Sequence, residues 1–299
     1  MKWFALLVLA LFSSPALATS YPYTVTDDLG ETVTLTDEPE RIVAMIPSHT
    51  ETLCAIGACD KLVGVDQYSN FPAAIATLPK LGSAFSPNVE AIIALEPDLV
   101  LADESSEVAA SLRRAGIPVY AGTAQTYEET FEKFGVLGEL VNRETEAALL
   151  TGRVEGAIGA ISERAQSLTP THFYYEIDAT PYSVGPNSFI GTLLSKAGGE
   201  NIVGPDLGDF PQLEPEFIVA ADPDVIIVSE RDVATLPGRP GWASISAVEN
   251  GHVIPTDGPL DDAISRPGPR LVEAVRFFAQ ALHPDVFGPP RTVLQPVAP

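Results

Sequence analysis

The chain has 299 residues, 45% of them apolar, so it can bury one or two sizeable cores and is too apolar to be disordered. Its 40 acidic and 17 basic side chains give a formal charge of -23. This charge argues against nucleic acid as a partner, since phosphates require Lys and Arg, and against docking on anionic lipid headgroups. It favours solubility and partners with basic patches, and acid enrichment is also typical of salty or acidic habitats.

Residues 1–18 have the pattern of a secretory signal peptide. Lys2 supplies the positive n-region, residues 4–12 form a nine-residue apolar h-region, and Ala16-Leu17-Ala18 is an A-x-A cleavage site. The h-region is too short to span a bilayer, and no cysteine lies near the cleavage site to carry a lipid anchor. We therefore expect cleavage after Ala18 and export of a soluble protein, most simply into a bacterial periplasm.

The exported chain begins with patterns typical of strands and one helix. Polar and apolar residues alternate over 23–35 around a turn that contains glycine, which predicts a β-hairpin. Residues 41–46 form an apolar strand. Ser48 then stands three residues before Glu51, which predicts a capping box at the start of a helix that ends at Gly57.

Cys54 and Cys59 are the only cysteines. Export permits a disulfide, but residues five apart in one regular helix are too distant to be bridged. Gly57 lies between the two and can end the helix, so a strained disulfide is still an alternative. The sequence nevertheless favours two free or buried thiols. A zinc site needs more ligands at a defined spacing.

Two stretches of the chain, 88–102 and 214–228, repeat one pattern at an offset of 126 residues (216 minus 90). Each is predicted to form a short helix, a Pro-Asp turn and a buried apolar strand. Glu90 and Glu216 fall in the first turn of the two helices, where a carboxylate complements the helix dipole on any protein surface. One such unit in each half predicts two similar lobes, each with a carboxylate at the equivalent position.

A stretch without proline from 126 to 166 lies between the repeats and is predicted to form helix in two pieces, about 127–141 and 143–166. At about 1.5 Å per residue the second piece spans about 35 Å, long enough to run along both lobes. It carries a helical stripe of apolar residues: Leu149, Leu150, Val154, Ala157, Ile158 and Ile161.

Strands alternate with helices in both halves, which predicts mostly parallel sheets. In the second half we expect a strand at 172–177, a helix at 188–197, a long loop at 256–269 and a final helix at 270–282. The predicted fold class is therefore α/β, with two similar lobes joined by one long bridging helix. The predicted domains are the signal peptide at 1–18, an N-terminal lobe at 19–142, the bridging helix at 143–168 and a C-terminal lobe at 169–299.

The sequence contains no G-x-S-x-G, G-x-G-x-x-G or P-loop motif. We identify no catalytic residue, expect no enzyme and expect no cofactor. A secreted α/β enzyme is the alternative from another class, and it requires a nucleophile–base pair that we cannot assemble. Of the four scattered histidines, His49 alone falls in a strand-to-helix loop where α/β proteins bind ligands, and one histidine does not make a metal site. The other three are His172, His252 and His283.

Aromatic residues occur in the loops at strand ends. A set drawn from both lobes suits a large, flat, partly apolar ligand held in a cleft between the lobes. These residues are Tyr68, Phe71, Phe85, Tyr182, Phe189 and Phe210.

Several segments in this order resemble one known family. They are 41–53 with the strand 62–65 and Tyr68-Ser69, then 89–101, 198–202 and Arg266-Pro267-Gly268-Pro269-Arg270. The resemblance is to the long-helix class of periplasmic binding proteins of ABC importers, those for vitamin B12, haem and ferric siderophores. It implies two α/β lobes bridged by a rigid helix, a ligand in the cleft and only small lobe movement.

The resemblance also assigns partners. It implies that Glu90 and Glu216, one per lobe, dock onto arginines of a dimeric membrane permease, a task that suits charge-assisted Arg–carboxylate contacts. It implies a small-molecule ligand, and we expect the protein to be a monomer. Cobalamin is the first expectation for the ligand, followed by a ferric siderophore and then haem.

The cleft residues follow by comparison with the vitamin B12-binding members of that class. Tyr68 falls on a ligand-stacking tyrosine, Tyr182 on a phenylalanine and Phe210 on a tryptophan. Phe85 lies one residue away from another tryptophan of those proteins. Those proteins also have a polar pair that contacts the ligand. Asp257 and Arg266 fall near the positions of that pair, and the loop between them is longer in this chain.

Overall fold

The structure, a computed structural model, describes residues 19–106 and 108–290. The signal peptide predicted at residues 1–18 lies outside the described residues. The chain first forms the predicted hairpin, in which β1 (Tyr23–Thr26) pairs antiparallel with β2 (Thr32–Leu35). Asp27 fixes the turn, because its carboxylate accepts hydrogen bonds from the backbone N–H groups of Leu29 and Glu31, each at 3.0 Å.

A four-stranded parallel sheet with the order β4-β3-β5-β6 forms the N-terminal lobe. Every residue of β3, β5 and β6 is buried, as expected for apolar strands covered on both faces. The elements in chain order are β3 (Ile42–Ala44), α1 (Pro47–Ala55), β4 (Leu62–Val65), α2 (Val89–Ala94), β5 (Leu99–Ala102), α3 (Val108–Arg114) and β6 (Val119–Ala121).

Two helices follow where the stretch without proline predicts them, α4 (Tyr127–Leu140) and α5 (Glu144–Gln166). Thr126 caps α4, because its side chain accepts a hydrogen bond from the backbone N–H of Glu129. The 23 residues of α5 span about 35 Å at about 1.5 Å per residue.

The C-terminal lobe repeats this sheet with the order β9-β7-β10-β11 and adds β8, which pairs antiparallel with the end of β7. Its elements in chain order are β7 (Thr171–Asp178), β8 (Tyr182–Ser183), α6 (Phe189–Lys196), β9 (Gly199–Asn201), α7 (Pro215–Ala221), β10 (Val225–Ser229), α8 (Glu230–Val233), α9 (Ser246–Glu249), β11 (Val253–Thr256), α10 (Gly258–Ser265), α11 (Leu271–Leu282) and α12 (Pro284–Phe287).

The repeated Pro-Asp units have the same local structure in both lobes. The residue before each proline is left-handed, Glu96 with φ 46° and Asp222 with φ 45°, so the chain makes the same turn before each Pro-Asp pair. The carboxylate of Asp98 accepts a hydrogen bond from the backbone N–H that precedes β3, at 3.0 Å. The carboxylate of Asp224 accepts one from the N–H of His172 in β7, at 3.1 Å. Each unit thus joins its strand to the start of the neighbouring strand.

One apolar core runs through both lobes. It contains Leu53 and Leu101 from the N-terminal lobe, Ile158 of α5, and Leu193 and Phe278 from the C-terminal lobe. Because α5 contributes one buried face to this common core, the lobes meet over packed side chains and not over a solvated linker. The fold is the predicted one, with two similar α/β lobes and one long bridging helix.

The predicted loop at 256–269 is wrong, because it contains α10. Leu260, Ala263 and Ile264 have helical spacing and are fully buried, and Pro259 fits the first turn, where its missing N–H removes no hydrogen bond. A loop was predicted because proline and glycine residues stand at both ends of this segment, and the apolar pattern between them is short.

The predicted capping box is also wrong. The helix α1 begins at Pro47, after Ile46, and has no side-chain cap, so Ser48 lies inside it. The side chain of Glu51 turns away from the helix start and binds two arginines instead.

The preference for two thiols is corrected as well, since Cys54 and Cys59 form a disulfide. The helix α1 ends at Ala55, and Gly57 then adopts a φ of 80°, a left-handed conformation that glycine adopts at little cost. The chain reverses there and brings the two Cα atoms to 4.0 Å.

Among the described residues, no helix combines the length and the apolar character needed to cross a bilayer.

Replacing both Cys54 and Cys59 with alanine should lower the free energy of unfolding by about 2 kcal/mol, since a disulfide with this short separation still restricts the unfolded chain. Urea unfolding of the oxidised wild-type protein and the variant measures the difference. Wild-type protein unfolded in a reducing agent should match the variant. Equal midpoints for all three samples would contradict a stabilising disulfide.

Candidate functional site

The loop after β4 presents Tyr68. Asp66 lies at the end of the strand, 1% exposed, and its carboxylate accepts hydrogen bonds from the backbone N–H groups of Tyr68, at 2.7 Å, and of Ser69, at 3.1 Å. Burial raises the pKa of Asp66, and these hydrogen bonds oppose that rise. The backbone of this loop is therefore fixed, while the ring of Tyr68 is 60% exposed.

Arg266, directly after α10 of the C-terminal lobe, reaches this loop. Its Nη2 donates to the carbonyl oxygen of Tyr68 at 3.1 Å, and its Nη1 donates to Oδ1 of Asn70 at 2.9 Å. Tyr68 lies in the loop after β4, and Arg266 follows α10, the helix after β11. Their contact therefore brings the carboxyl ends of the two sheets to face each other. Ligand sites of parallel α/β sheets lie at such ends. The structure thus brings two of the predicted site residues together across the junction of the lobes.

Glu51 of α1 completes this contact. Its Oε1 accepts from Nη1 of Arg266 at 2.8 Å, and both of its oxygens accept from Arg270, at 2.8 Å each. Sequence reasoning missed this residue. The sequence pattern that indicates such a residue is the segment from Arg266 to Arg270. Two arginines stand four residues apart there, beside buried apolar residues, and they require a carboxylate from elsewhere in the chain.

Tyr182 and Phe210 lie on neighbouring segments of the C-terminal lobe. The backbone N–H of Ser183 donates to the carbonyl of Pro211 at 3.0 Å, so the two segments run side by side. Gly185 permits their approach, because a Cβ atom there would lie 2.0 Å from the carbonyl oxygen of the opposite segment. Both rings are exposed, Tyr182 to 39% and Phe210 to 60%, beyond the carboxyl end of β7.

The remaining two predicted ligand residues occupy different places. Asp257 stands at the N-terminal boundary of α10, is half-buried and makes no side-chain cap to that helix. Phe85 is 87% exposed in the N-terminal lobe and lies at a hollow of 510 Å³. The other residues that line this hollow are Ala84, Pro87, Val89, Ser105, Val108 and Ser111.

Glu90 and Glu216 occupy the same position on two surface helices. Each is the second residue of its helix, α2 or α7, and each side chain is exposed. Neither carboxylate has a hydrogen-bond or ion-pair partner among residues 19–106 and 108–290. Both carboxylates are therefore accessible to solvent.

His49 is buried in α1 and is 2% exposed, and neither ring nitrogen has a hydrogen-bond partner among the described residues. Burial, and secondarily the nearby charge of Lys133, lowers its pKa to about 4, so the ring is neutral at pH 7. In the described part of the chain, no three His, Cys, Asp or Glu side chains lie close enough together to hold a metal ion.

The buried His49 should make stability depend on pH. The folded state holds the ring neutral down to about pH 4, whereas the unfolded state binds a proton below about pH 6.5. The free energy of unfolding should therefore fall as the pH is lowered from about 6.5 to about 4, by at most about 1.4 kcal/mol per pH unit from this group. Urea unfolding across this range should show a smaller fall in His49→Leu than in the wild type. Parallel profiles for the two proteins would contradict the assignment.

Comparison with known proteins identifies a family and a relative of known name. A family model described as "Periplasmic binding protein" matches residues 42–260. A cobalamin-binding protein of Halobacterium salinarum is 33% identical over 283 residues, which cover 89% of this chain and 75% of that protein.

Two solved structures have a similar fold. The vitamin B12 binding protein BtuF of Vibrio cholerae superposes with a TM-score of 0.70 and 26% identity, covering 82% of this chain and 96% of that one. The haem-binding protein RhuT of Roseiflexus sp. RS-1 gives a TM-score of 0.70 and 28% identity, covering 82% and 99%. The fold and the general task are therefore common to proteins with different ligands.

Proposed function

Because this chain belongs to the periplasmic binding protein family, we propose that it captures cobalamin in the cleft between its lobes and delivers it to an ABC importer. That it is a periplasmic solute-binding protein of ABC transport follows from the family itself. Its relatives are binding proteins and not enzymes. The identity of the ligand and the residues that hold it are the proposal.

Exposed aromatic rings near the ends of sheet strands support this proposal. Tyr68 from one lobe, and Tyr182 and Phe210 from the other, all follow carboxyl ends of sheet strands and all stay exposed. Exposed rings of this size are costly in water unless a ligand covers them, and a flat macrocycle offers each of them a face. The 33% identity to a cobalamin-binding protein supports cobalamin as that macrocycle.

Polar groups mark the rest of the cleft. We place Asp257 and Arg266 at the polar edge of the ligand and Phe85 at its rim in the N-terminal lobe. The side chain of Arg266 is only 10% exposed, so its contact with a ligand involves one edge of the guanidinium group. These three assignments stay predictions, as do those of the aromatic walls.

Delivery requires export and docking. We propose that the chain is cleaved after Ala18 and acts as a monomer in the periplasm. Glu90 and Glu216 then dock onto arginines of two permease subunits, since both carboxylates are exposed and stand at the same position of equivalent helices. Two similar lobes facing two subunits account for the duplicated position.

Calorimetric titration of the mature protein with cyanocobalamin tests the ligand, with haem and a ferric siderophore titrated in parallel. We expect 1:1 binding of cobalamin alone. Tyr68→Ala should weaken it by roughly 10- to 150-fold, since covering an aromatic ring contributes about 1.5–3 kcal/mol. Phe217→Ala, which removes an exposed ring from α7, is the control and should bind normally. If the protein binds haem or the siderophore and does not bind cobalamin, the proposed ligand is wrong.

Uptake by cells tests the docking role. Glu90→Ala combined with Glu216→Ala should leave the calorimetric affinity unchanged and abolish transport, because only the permease contacts are removed. The matched control is Glu128→Ala with Glu146→Ala, which removes two other exposed carboxylates from first turns of helices. Transport that survives in the first variant would show that these glutamates do not dock the protein.

A further inference from the structure

We propose that Glu51 is a positioning residue: it fixes the two lobes at one angle and presents Tyr68 to the ligand. The first part concerns the protein without ligand, and the second rests on the proposed function of the cleft. Four side chains carry the inference, and we call them the interlobe cluster: Glu51, Asp262, Arg266 and Arg270.

The interlobe cluster joins residues more than 200 positions apart. Glu51 belongs to α1 of the N-terminal lobe, whereas Arg266 directly follows α10 and Arg270 directly precedes α11 in the C-terminal lobe. The exposed fractions of these three side chains are 2%, 10% and 8%, so the ion pairs are largely removed from water. Arg270 binds both oxygens of Glu51, a fork that sets orientation as well as distance.

The same arginines hold the loop that carries Tyr68. Arg266 donates to the carbonyl oxygen of Tyr68 and to the side chain of Asn70. The guanidinium carbon of Arg270 lies 4.7 Å from the centre of the Phe71 ring, within the range of a cation–π contact. Every one of these contacts runs from one lobe to the other.

Asp262 completes the charge balance. Its Oδ1 accepts from Arg266 at 2.5 Å, and its Oδ2 accepts from Nδ2 of Asn70 at 2.8 Å in the other lobe. Two carboxylates thus face two guanidinium groups. Opening the lobes would separate Glu51 from both arginines and leave its buried charge unpaired in the cluster, which is strongly unfavourable, whereas Arg266 would keep Asp262.

The position of Tyr68 depends on this set from both sides. Asp66 holds the N–H of Tyr68 from within its own lobe, and Arg266 holds its carbonyl from the other lobe. Glu51 contacts Arg266 and not Tyr68, so it acts on the ring through the arginine. Loss of Glu51 should leave the Tyr68 side chain unchanged. It should allow both the loop that carries Tyr68 and the angle between the lobes to vary.

A second buried ion pair provides the matched control. Glu176 of β7, with its side chain fully buried, accepts two hydrogen bonds from Arg239, at 2.6 and 2.9 Å. Both residues belong to the C-terminal lobe. Glu176→Gln therefore weakens a comparable buried pair without touching the junction of the lobes.

The lobe angle can be measured without a ligand. Spin labels at Ala110→Cys and Ala243→Cys, both exposed and one in each lobe, report the distance between the lobes by double electron–electron resonance. We expect a single narrow distance distribution in the background protein and in Glu176→Gln. Glu51→Gln should broaden the distribution toward longer distances.

Ligand affinity tests the positioning of Tyr68. If Glu51→Gln leaves about one molecule in ten in the competent arrangement, the affinity for cyanocobalamin falls about tenfold. In the double variant Glu51→Gln with Tyr68→Ala, the two losses should not add, because both act through the same ring. Glu176→Gln should bind as the wild type does.

The outcomes separate the two ideas. An unchanged distance distribution in Glu51→Gln overturns the fixed lobe angle, and additive losses overturn the positioning of Tyr68. If wild-type protein does not bind cobalamin, the proposed ligand fails while the distance measurement still decides the lobe angle. Should Glu51→Gln not fold, Arg270→Gln replaces it, since it removes the fork on Glu51 while Glu51 keeps Arg266 as a partner, and a narrow distribution in that variant again overturns the proposal.

Discussion

A carboxylate buried between two lobes is the constraint on which much of this structure depends. Glu51 is removed from water and must therefore meet cations, and the chain supplies them from Arg266 and Arg270 of the other lobe. Their forked geometry fixes α1 against α10 and α11 at the cleft. Below them, a continuous apolar core holds the same two lobes together. Both sets of contacts therefore resist separation of the lobes.

The two lobes share a sheet order and the Pro-Asp unit, yet they contribute different residues to the proposed ligand site. The N-terminal lobe contributes Tyr68 from a loop that the opposite lobe braces. The C-terminal lobe contributes Tyr182 and Phe210 from the added strand β8 and the segment beside it, which have no counterpart among the described strands of the other lobe. A repeated scaffold thus carries two different surfaces. The equivalent glutamates of α2 and α7 lie on the part of the scaffold that did stay the same.

Local patterns predicted most of the fold because they depend on near neighbours. The strand at 99–102 and the long helix α5 were predicted to within a residue, since apolar runs and helical stripes involve residues that are close together in the sequence. The role of Glu51 was not predicted, because its partners lie more than 200 residues away and its spacing to Ser48 fitted a cap equally well. The disulfide was missed because it depends on the reversal at Gly57. Five of the six loop aromatics named from the sequence are exposed, whereas Phe189 begins α6 and packs against the common core, a contact that depends on residues distant in the chain.

The common core beneath the cleft has a consequence for how an importer could recognise a loaded receptor. A ligand shifts a conformational equilibrium only by its unequal affinity for two states, and lobes packed on one core with α5 offer few states to choose from. The spacing of Glu90 and Glu216 would then be nearly the same in the empty and the loaded protein. Both forms would compete for the same transporter, and discrimination would fall to the surface of the ligand exposed at the mouth of the cleft.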